Sequence, residues 1–442
     1  MFLSNLLLME SHMKLSLFNI THAEKEYCLV YNTFSSAFVR IPLSCWEEIV
    51  QLIDEGKPIP SHLEIIVKDL MKSGFILSDK IDELNKYRYL YYSNMFDNQS
   101  IHLFIAPTMK CNFNCYYCFE SGNKNHGLMS DDVVDNLVQY LYKNRNKRIV
   151  IHWFGGEPLL GFRQILHISR LLNEKKVDFI STLITNGSLL TKSNIICLEE
   201  LHLQRIQISL DGIAKDHDRR RTFKNGKPSF QLIIDNLRNL MQMTDNKVCI
   251  QVTVDHDNET AYDDVVAYMN LHFKEYVDSK RILIGRNFVQ NRTDFDTSNV
   301  CFTEDQQMKL EWDNLSKQTR EKAMRILPGL YFPCMFRCKN SFAVDSQGDM
   351  FLCLEHLGNP LYRVGSFKEG KMNLNKIADG RFMNMPFEDS ACTKCAFLPI
   401  CGGGCPIDRA KVKQGSLPSC CSIYKDKLVQ MLPRLYELKC KQ

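Results

Sequence analysis

Cys111, Cys115 and Cys118 stand in C-x3-C-x2-C spacing within Thr108-Met-Lys-Cys-Asn-Phe-Asn-Cys-Tyr-Tyr-Cys-Phe-Glu120, and this stretch constrains the chain more than any other. Three thiolates so close in sequence fit one loop wrapped around a single iron–sulfur cubane. A bacterial ferredoxin run supplies a fourth cysteine a few residues later, whereas here the next one is Cys197. Three thiolates leave the fourth iron with an open coordination position. A substrate or cosubstrate binds at such a position, as it does at the free site of a catalytic zinc. A zinc site is the competing reading of the three cysteines alone.

With its interleaved aromatic residues, this spacing resembles the signature of the radical S-adenosylmethionine (SAM) superfamily. The resemblance implies that SAM chelates the open iron through its amino and carboxylate groups. One electron then breaks the sulfonium C–S bond, giving methionine and a 5′-deoxyadenosyl radical that takes hydrogen from a substrate. In such enzymes the cofactor carries the chemistry, and the protein supplies position, electronics and shielding. Three more segments match the family, each just after a predicted strand. Gly155-Gly156-Glu157-Pro158 implies a site for the methionyl ammonium, with Glu157 its charge partner and the two glycines admitting a close backbone approach to the ligand. Thr185-Asn186-Gly187 implies a contact near the methionyl end, made by Asn186. Ser209-Leu-Asp211-Gly212 places Ser209 and Asp211 at the ribose, where a hydroxyl and a carboxylate suit a diol. Tyr117 is the implied wall for the adenine, with a buried core tyrosine as its competitor. His217, Asp218 and Arg219–Arg221 stand where relatives show His-Asp-x-x-Arg, and the arginines read as a solvated basic loop.

A length of 442 residues leaves ample chain for a large core and suggests more than one domain. The formal charge of +4 is small for this size and gives no case for a nucleic-acid or membrane partner. The first ten residues lack the basic start of a secretion signal. No stretch reaches the roughly 18 apolar residues of a membrane span. The 18 cysteines are therefore expected to be reduced in a cytoplasmic, oxygen-poor setting and to serve metal.

Residues 1–90 are expected to form an N-terminal unit: a hairpin from 26–31 and 37–41, helices 44–54 and 62–72, and a strand at 75–77. Ser44 and Glu47 have capping-box spacing, and Gly74 ends the second helix. This order is winged-helix-like and is similar to peptide-recognition domains beside peptide-modifying enzymes; a plain cap over the next domain is the alternative. Residues 80–100 read as a linker. From 101 to 300, predicted strands at 101–106, 149–154, 179–185, 205–210, 248–254 and 281–285 alternate with helices such as 131–143, 162–174 and 230–241. The pattern argues an α/β fold with a parallel sheet and outer helices. The resemblance makes it a partial (β/α)6 barrel, whose chemistry sits at the C-terminal strand edge. Residues 302–326 read as helical and polar.

The cysteines return over residues 330–425. Cys338, Gly348 and Cys353 fit C-x9-G-x4-C, and Cys392, Cys395, Cys401 and Cys405 fit C-x2-C-x5-C-x3-C, followed by Cys421. In this order they resemble the SPASM domain, which implies two further [4Fe–4S] clusters, three in all. The implied ligands are Cys334, Cys338, Cys353 and Cys405 for one, and Cys392, Cys395, Cys401 and Cys421 for the other. Cys420 is a rival to Cys421, which is preferred because Ser-Ile-Tyr424-Lys425 matches the family's ending. A pair of structural zinc sites is the alternative for this set. SPASM enzymes mostly alter peptides, and the resemblance implies a ribosomally made precursor peptide as substrate, a thioether, C–C or ether crosslink as product, and an electron donor such as flavodoxin or ferredoxin. Anaerobic sulfatase-maturating enzymes carry a catalytic aspartate directly after the cysteine matching Cys353, whereas here Leu354 stands there, with Glu355 as a displaced substitute. The rival of another class is a non-catalytic iron–sulfur or zinc scaffold that binds a peptide.

Overall fold

The computed structural model describes residues 12–120, 127–290, 299–316, 333–368, 373–421, 425 and 427–440. The chain divides into two compact units. One holds Asp97–Thr303 and Met335–Arg381, the other Met1–Phe96, Glu304–Cys334 and Phe382–Gln442.

The first of these is built on strands whose alternation is plain in the residues. In β6 (Ser100–Ile105), Ile101, Leu103 and Ile105 are fully buried, while His102 and Phe104 between them are half-buried. Successive side chains of a strand point to opposite faces, so one face is sealed and the other is left partly open. β8 (Phe179–Thr185) repeats this throughout, β9 (Leu203–Leu210) from Ile206 onward and β10 (Val248–Val254) as far as Val252, whereas β7 (Arg148–Trp153) buries Ile149, Val150 and Ile151 in succession and β11 (Ile282–Phe288) buries only its first and last residues. These strands pair in parallel in chain order, with Phe104 opposite His152 and His152 opposite Thr182. Helices Asp131–Lys143, Phe162–Glu174, Phe230–Met243 and Ala261–His272 fall between them in sequence. Each buries one stripe, such as Val133, Val134, Leu137, Val138 and Leu141 on the first. This is the expected partial (β/α)6 barrel. The spans of β8 and β10 coincide with the expected ones, and β9 and β11 run longer than expected.

Four short strands extend this sheet beyond its first edge, where no strand was expected. β12 (Ser341–Val344) pairs in parallel with β6, and β13 (Asp349–Phe351), β14 (Gly365–Ser366) and β15 (Asn373–Leu374) add antiparallel to it. Strands this short hold too few residues for alternation to register.

In the other unit β2 (Asn19–Ala23), β3 (Tyr27–Asn32) and β4 (Phe38–Pro42) form an antiparallel sheet, and β1 (Met13–Leu15) pairs with β5 (Ile76–Ser78). The expected hairpin and both helices are present, but the caps differ. The first helix starts at Leu43 behind Pro42 with no side-chain cap, so the Ser44 capping box does not form. The second helix runs Glu64–Lys72 and ends at Gly74, whose φ of +83° lets Phe75 N–H reach Leu70 O at 2.9 Å. The expected linker is instead a helix, Glu83–Met95, capped by Asp82. Tyr87, Tyr91 and Met95 fall one helical turn apart and are buried against Phe18, Phe387 and Leu398. Tyrosine-rich sequence disguised it, because tyrosine favours strands over helices. The helix expected over 302–326 is seen as Glu304–Ser316, and residues 317–326 lie outside the described residues. So do the first ten residues and 422–424 of the C-terminal motif.

Candidate active site

The loop after β6 carries Cys111, Cys115 and Cys118 across the C-terminal edge of the sheet, where all three thiols are half-buried. It is pinned from the far side. Asn114 N–H donates to Thr222 O at 3.0 Å, Lys224 N–H to Asn112 O at 3.0 Å, and the rings of Phe113 and Phe223 meet edge-on at 4.8 Å. Burial pushes the Cys111 thiol up to about 12, and nearby Glu157, Cys115 and Cys118 add to this against a backbone hydrogen bond from Phe113. Thiols that disfavour one another's ionisation become a stable set only around a polycation. That donor chemistry fits an iron–sulfur cluster.

Gly155 and Gly156 follow β7, and the neighbour that requires them is the protein's own backbone rather than a ligand. A Cβ on Gly155, whose φ is +107°, would lie 2.6 Å from Thr108 O. One on Gly156 would lie 2.5 Å from both Met109 O and Lys110 O. The glycines thus seat the chain that leads into Cys111. Glu157 is fully buried, donates its backbone N–H to Lys110 O, and accepts from Leu159 N–H, Thr185 Oγ1 at 2.7 Å and Asn186 N–H at 2.8 Å. Burial raises its carboxyl above the ordinary range, and those three donors pull the other way. Asn186 in turn donates to Asn112 Oδ1 at 2.8 Å and accepts from Ser188, which also receives Asn112 Nδ2. Glu157 and Asn186 therefore meet each other and the cysteine loop. Ser209 lies near the end of β9, half-buried on the partly open face.

Asp211, just past β9, is fully buried and heavily engaged. Its carboxylate accepts Tyr117 Oη at 2.5 Å, Arg220 Nε at 3.1 Å and Arg221 Nη1 at 3.4 Å. Arg220 also grips Asp255 with two bonds of 2.7 and 2.9 Å, and Asp255 accepts Tyr116 Oη. Arg221 Nη1 reaches Tyr117 Oη at 2.6 Å, and its Nε is a buried donor without a partner. Burial pushes the Tyr117 hydroxyl well up, against the pull of Arg221. Arg220 and Arg221 correct the solvated reading of 219–221, which holds only for the exposed Arg219. Ala214–Arg220 is helical, Arg220 is 2% exposed, and Asp218 caps helix Phe230–Met243 by accepting Ser229 N–H and Phe230 N–H at 2.8 Å each. Tyr116 and Asp255 were missed. Asp255 follows β10 directly, so the strand-end rule that found the other motifs would have flagged it.

Down the partly open face, His152 Nδ1 bonds Thr182 Oγ1 at 2.7 Å, and its ring stacks on Phe104 at 4.2 Å. Burial, with His102 and Arg205 nearby, pushes its imidazole down to about 4. The folded protein thus refuses a proton that the unfolded chain accepts near pH 6.5. Stability held above that pH is lost as pH falls toward 4, by up to about 3 kcal/mol from this group. Under anoxic conditions, the melting temperature of His152→Gln is expected to fall less steeply than wild type across this window. Parallel curves would remove His152 as a source of acid sensitivity.

The C-terminal cysteines are placed by turns. Cys338 and Cys353 flank the β12–β13 hairpin, whose register of Ala343 opposite Phe351 brings both to one end. Gly348, with φ of +79°, makes its turn, and a Cβ there would lie 2.9 Å from Val133. Glu355 sits in the short turn Leu354–His356 after Cys353. Cys334, exposed, and Cys405, which precedes helix Pro406–Lys413, belong to the other unit. There charge on Cys401 is felt at Cys392, Cys395 and Cys420, and that on Cys421 at Cys395 and Cys420. Gly402, Gly403 and Gly404 all have positive φ, and a Cβ on Gly404 would overlap Cys420 O. Cys420 Sγ points to Gly403 O at 3.9 Å. No cysteine forms a disulfide, and among the described residues no helix is long and apolar enough to cross a membrane.

Residues 105–269 match the Radical SAM superfamily. The cysteine-type anaerobic sulfatase-maturating enzyme of Clostridium perfringens is 24% identical over 369 residues, 76% of this chain and 97% of that one. The structure of native anSMEcpe with bound AdoMet and a peptide aligns with a TM-score of 0.61 at 20% identity, over 77% of this chain and 99% of that one. Streptococcus suis SuiB bound to precursor peptide SuiA aligns with a TM-score of 0.55 at 17% identity, over 95% of this chain and 100% of that one.

Proposed function

We propose that this chain, a radical SAM enzyme whose relatives include SPASM-type maturases, modifies a ribosomally made precursor peptide by installing a thioether, C–C or ether crosslink. The observation that carries the peptide-crosslinking reading is Leu354, which stands where sulfatase-maturating enzymes hold their aspartate base. The likeness to SuiB, which extends over 95% of this chain, supports it. Formylglycine formation is the second reading, favoured by the match along 97% of a sulfatase-maturating enzyme, with Glu355 as the base.

When bound, the cluster and SAM supply reductive cleavage of the sulfonium bond and hydrogen abstraction. In this reading Cys111, Cys115 and Cys118 hold the cluster. Glu157, its orientation locked by three donors, presents its remaining lone pair to the methionyl ammonium. Asn186 borders the methionyl end, Ser209 and Asp211 the ribose, and Tyr117 the adenine. Cys334, Cys338, Cys353 and Cys405 hold a second cluster, and Cys392, Cys395, Cys401 and Cys421 a third. Residues 1–90 recognise the peptide, 101–300 are the radical SAM core, and 330–425 are the auxiliary-cluster domain. Reduced cysteines and a flavodoxin- or ferredoxin-like donor go with a cytoplasmic, oxygen-poor setting.

The test is anoxic reconstitution with a synthetic peptide taken from any short open reading frame found beside the gene. About 12 irons with matching sulfide are expected, with 5′-deoxyadenosine released and a peptide lighter by two hydrogens. A free aldehyde, formed from serine by loss of two hydrogens or from cysteine with its sulfur also replaced by oxygen, would favour formylglycine formation. A scaffold would release no 5′-deoxyadenosine.

A further inference from the structure

Arg409 is 4% exposed and lies beside Cys392. Its Nη2 donates to Cys392 Sγ at 2.8 Å and its Nη1 to Asp389 Oδ2 at 2.9 Å, while Nε is a buried donor without a partner. Helix Pro406–Lys413 carries Arg409, and the Gly403 turn passes beside its Nη2, although the neighbour that requires a glycine there is Pro386, 2.4 Å from where a Cβ would lie. Asp389 holds the other side in place by capping Ser390–Thr393, the turn that bears Cys392.

Asp389 is 38% exposed at its side chain, so its ion pair with Arg409 adds little to stability and does not explain a buried guanidinium. A fixed cation bonded to a thiolate ligand has a different effect. A cluster gains negative charge on reduction, so a neighbouring positive charge favours the reduced form, and hydrogen bonds to ligand sulfur act in the same direction. We propose that Arg409 raises the reduction potential of the iron–sulfur centre held at Cys392, tuning it to accept electrons. The inference rests on Cys392, Cys395, Cys401 and Cys421 being cluster ligands.

The experiment uses the full-length, anoxically reconstituted protein and redox titration followed by electron paramagnetic resonance. Cys392→Ala should remove one cluster signal and about four irons. If it removes neither, the ligand reading fails before Arg409 is tested. With the signal assigned, Arg409→Gln should lower its potential by a tenfold or larger change in the equilibrium constant, about 59 mV for one electron. Arg409→Lys, which keeps the charge but loses the paired geometry, should shift it less. Asp389→Asn keeps the helix cap and removes the anion that shares Arg409, so it should move the potential upward, which a merely structural role would not do. An unchanged potential in Arg409→Gln overturns the proposal. If that variant does not load the cluster, no rise in Asp389→Asn overturns it.

Discussion

Replacing Cys111, Cys115 or Cys118 singly by alanine is expected to abolish 5′-deoxyadenosine release and to cost about four irons per chain, without unfolding the protein. The loop does not depend on its thiols for position. Bonds from Asn112 to Ser188 and from Asn114 to Thr222, together with the Phe113–Phe223 contact, hold it to the barrel from either side. Removing Cys111 also removes a buried group that is unfavourable to ionise in the metal-free protein. Far-ultraviolet circular dichroism and the melting temperature of the apo protein should therefore match wild type, while iron content and SAM cleavage collapse together. Undiminished cleavage in any one of the three variants would sink the reading of this loop.

Arg220→Met is expected to destabilise the protein by about 3–5 kcal/mol, the usual result of removing one partner from a buried ion pair. Asp211 and Asp255 are both fully buried, and Arg220 neutralises them together through Nε and both Nη groups. Without it, Asp255 loses its cation and Asp211 keeps only Arg221 at 3.4 Å, beside Tyr116 and Tyr117, the aromatic residues between Cys115 and Cys118. The loss should appear in urea unfolding of the apo protein. Because the deficit is uncompensated charge, adding Asp255→Asn should recover part of it, a coupling that two independent sites would not show. An unchanged unfolding midpoint for Arg220→Met would mean that the network carries no net stability.

Much of the core was legible along the chain. Alternation such as Ile101/Leu103/Ile105 depends only on which face of a strand is buried, and strands of six or more residues repeat it often enough to be read. The two- to four-residue strands β12–β15 do not, and the Glu83–Met95 helix was hidden because its buried stripe is built from tyrosines. The glycine pair was found from its motif, but its reason was not. The atoms that require Gly155 and Gly156 belong to Thr108, Met109 and Lys110, which reach them only after β6 and β7 pair.

Spacing alone marked Cys111, Cys115 and Cys118 as one loop, because residues close along the chain stay close whatever the fold does elsewhere, while the strand-end motifs and the grouping of the later cysteines came from the family resemblance. Tertiary structure decided which charges meet. Arg220 with Asp255, Tyr117 with Asp211 and Arg409 with Cys392 all pair across turns and strand ends. Electrostatic partners are chosen by distance in space and by shared burial, and neither is written in the order of residues until the sheet sets its register.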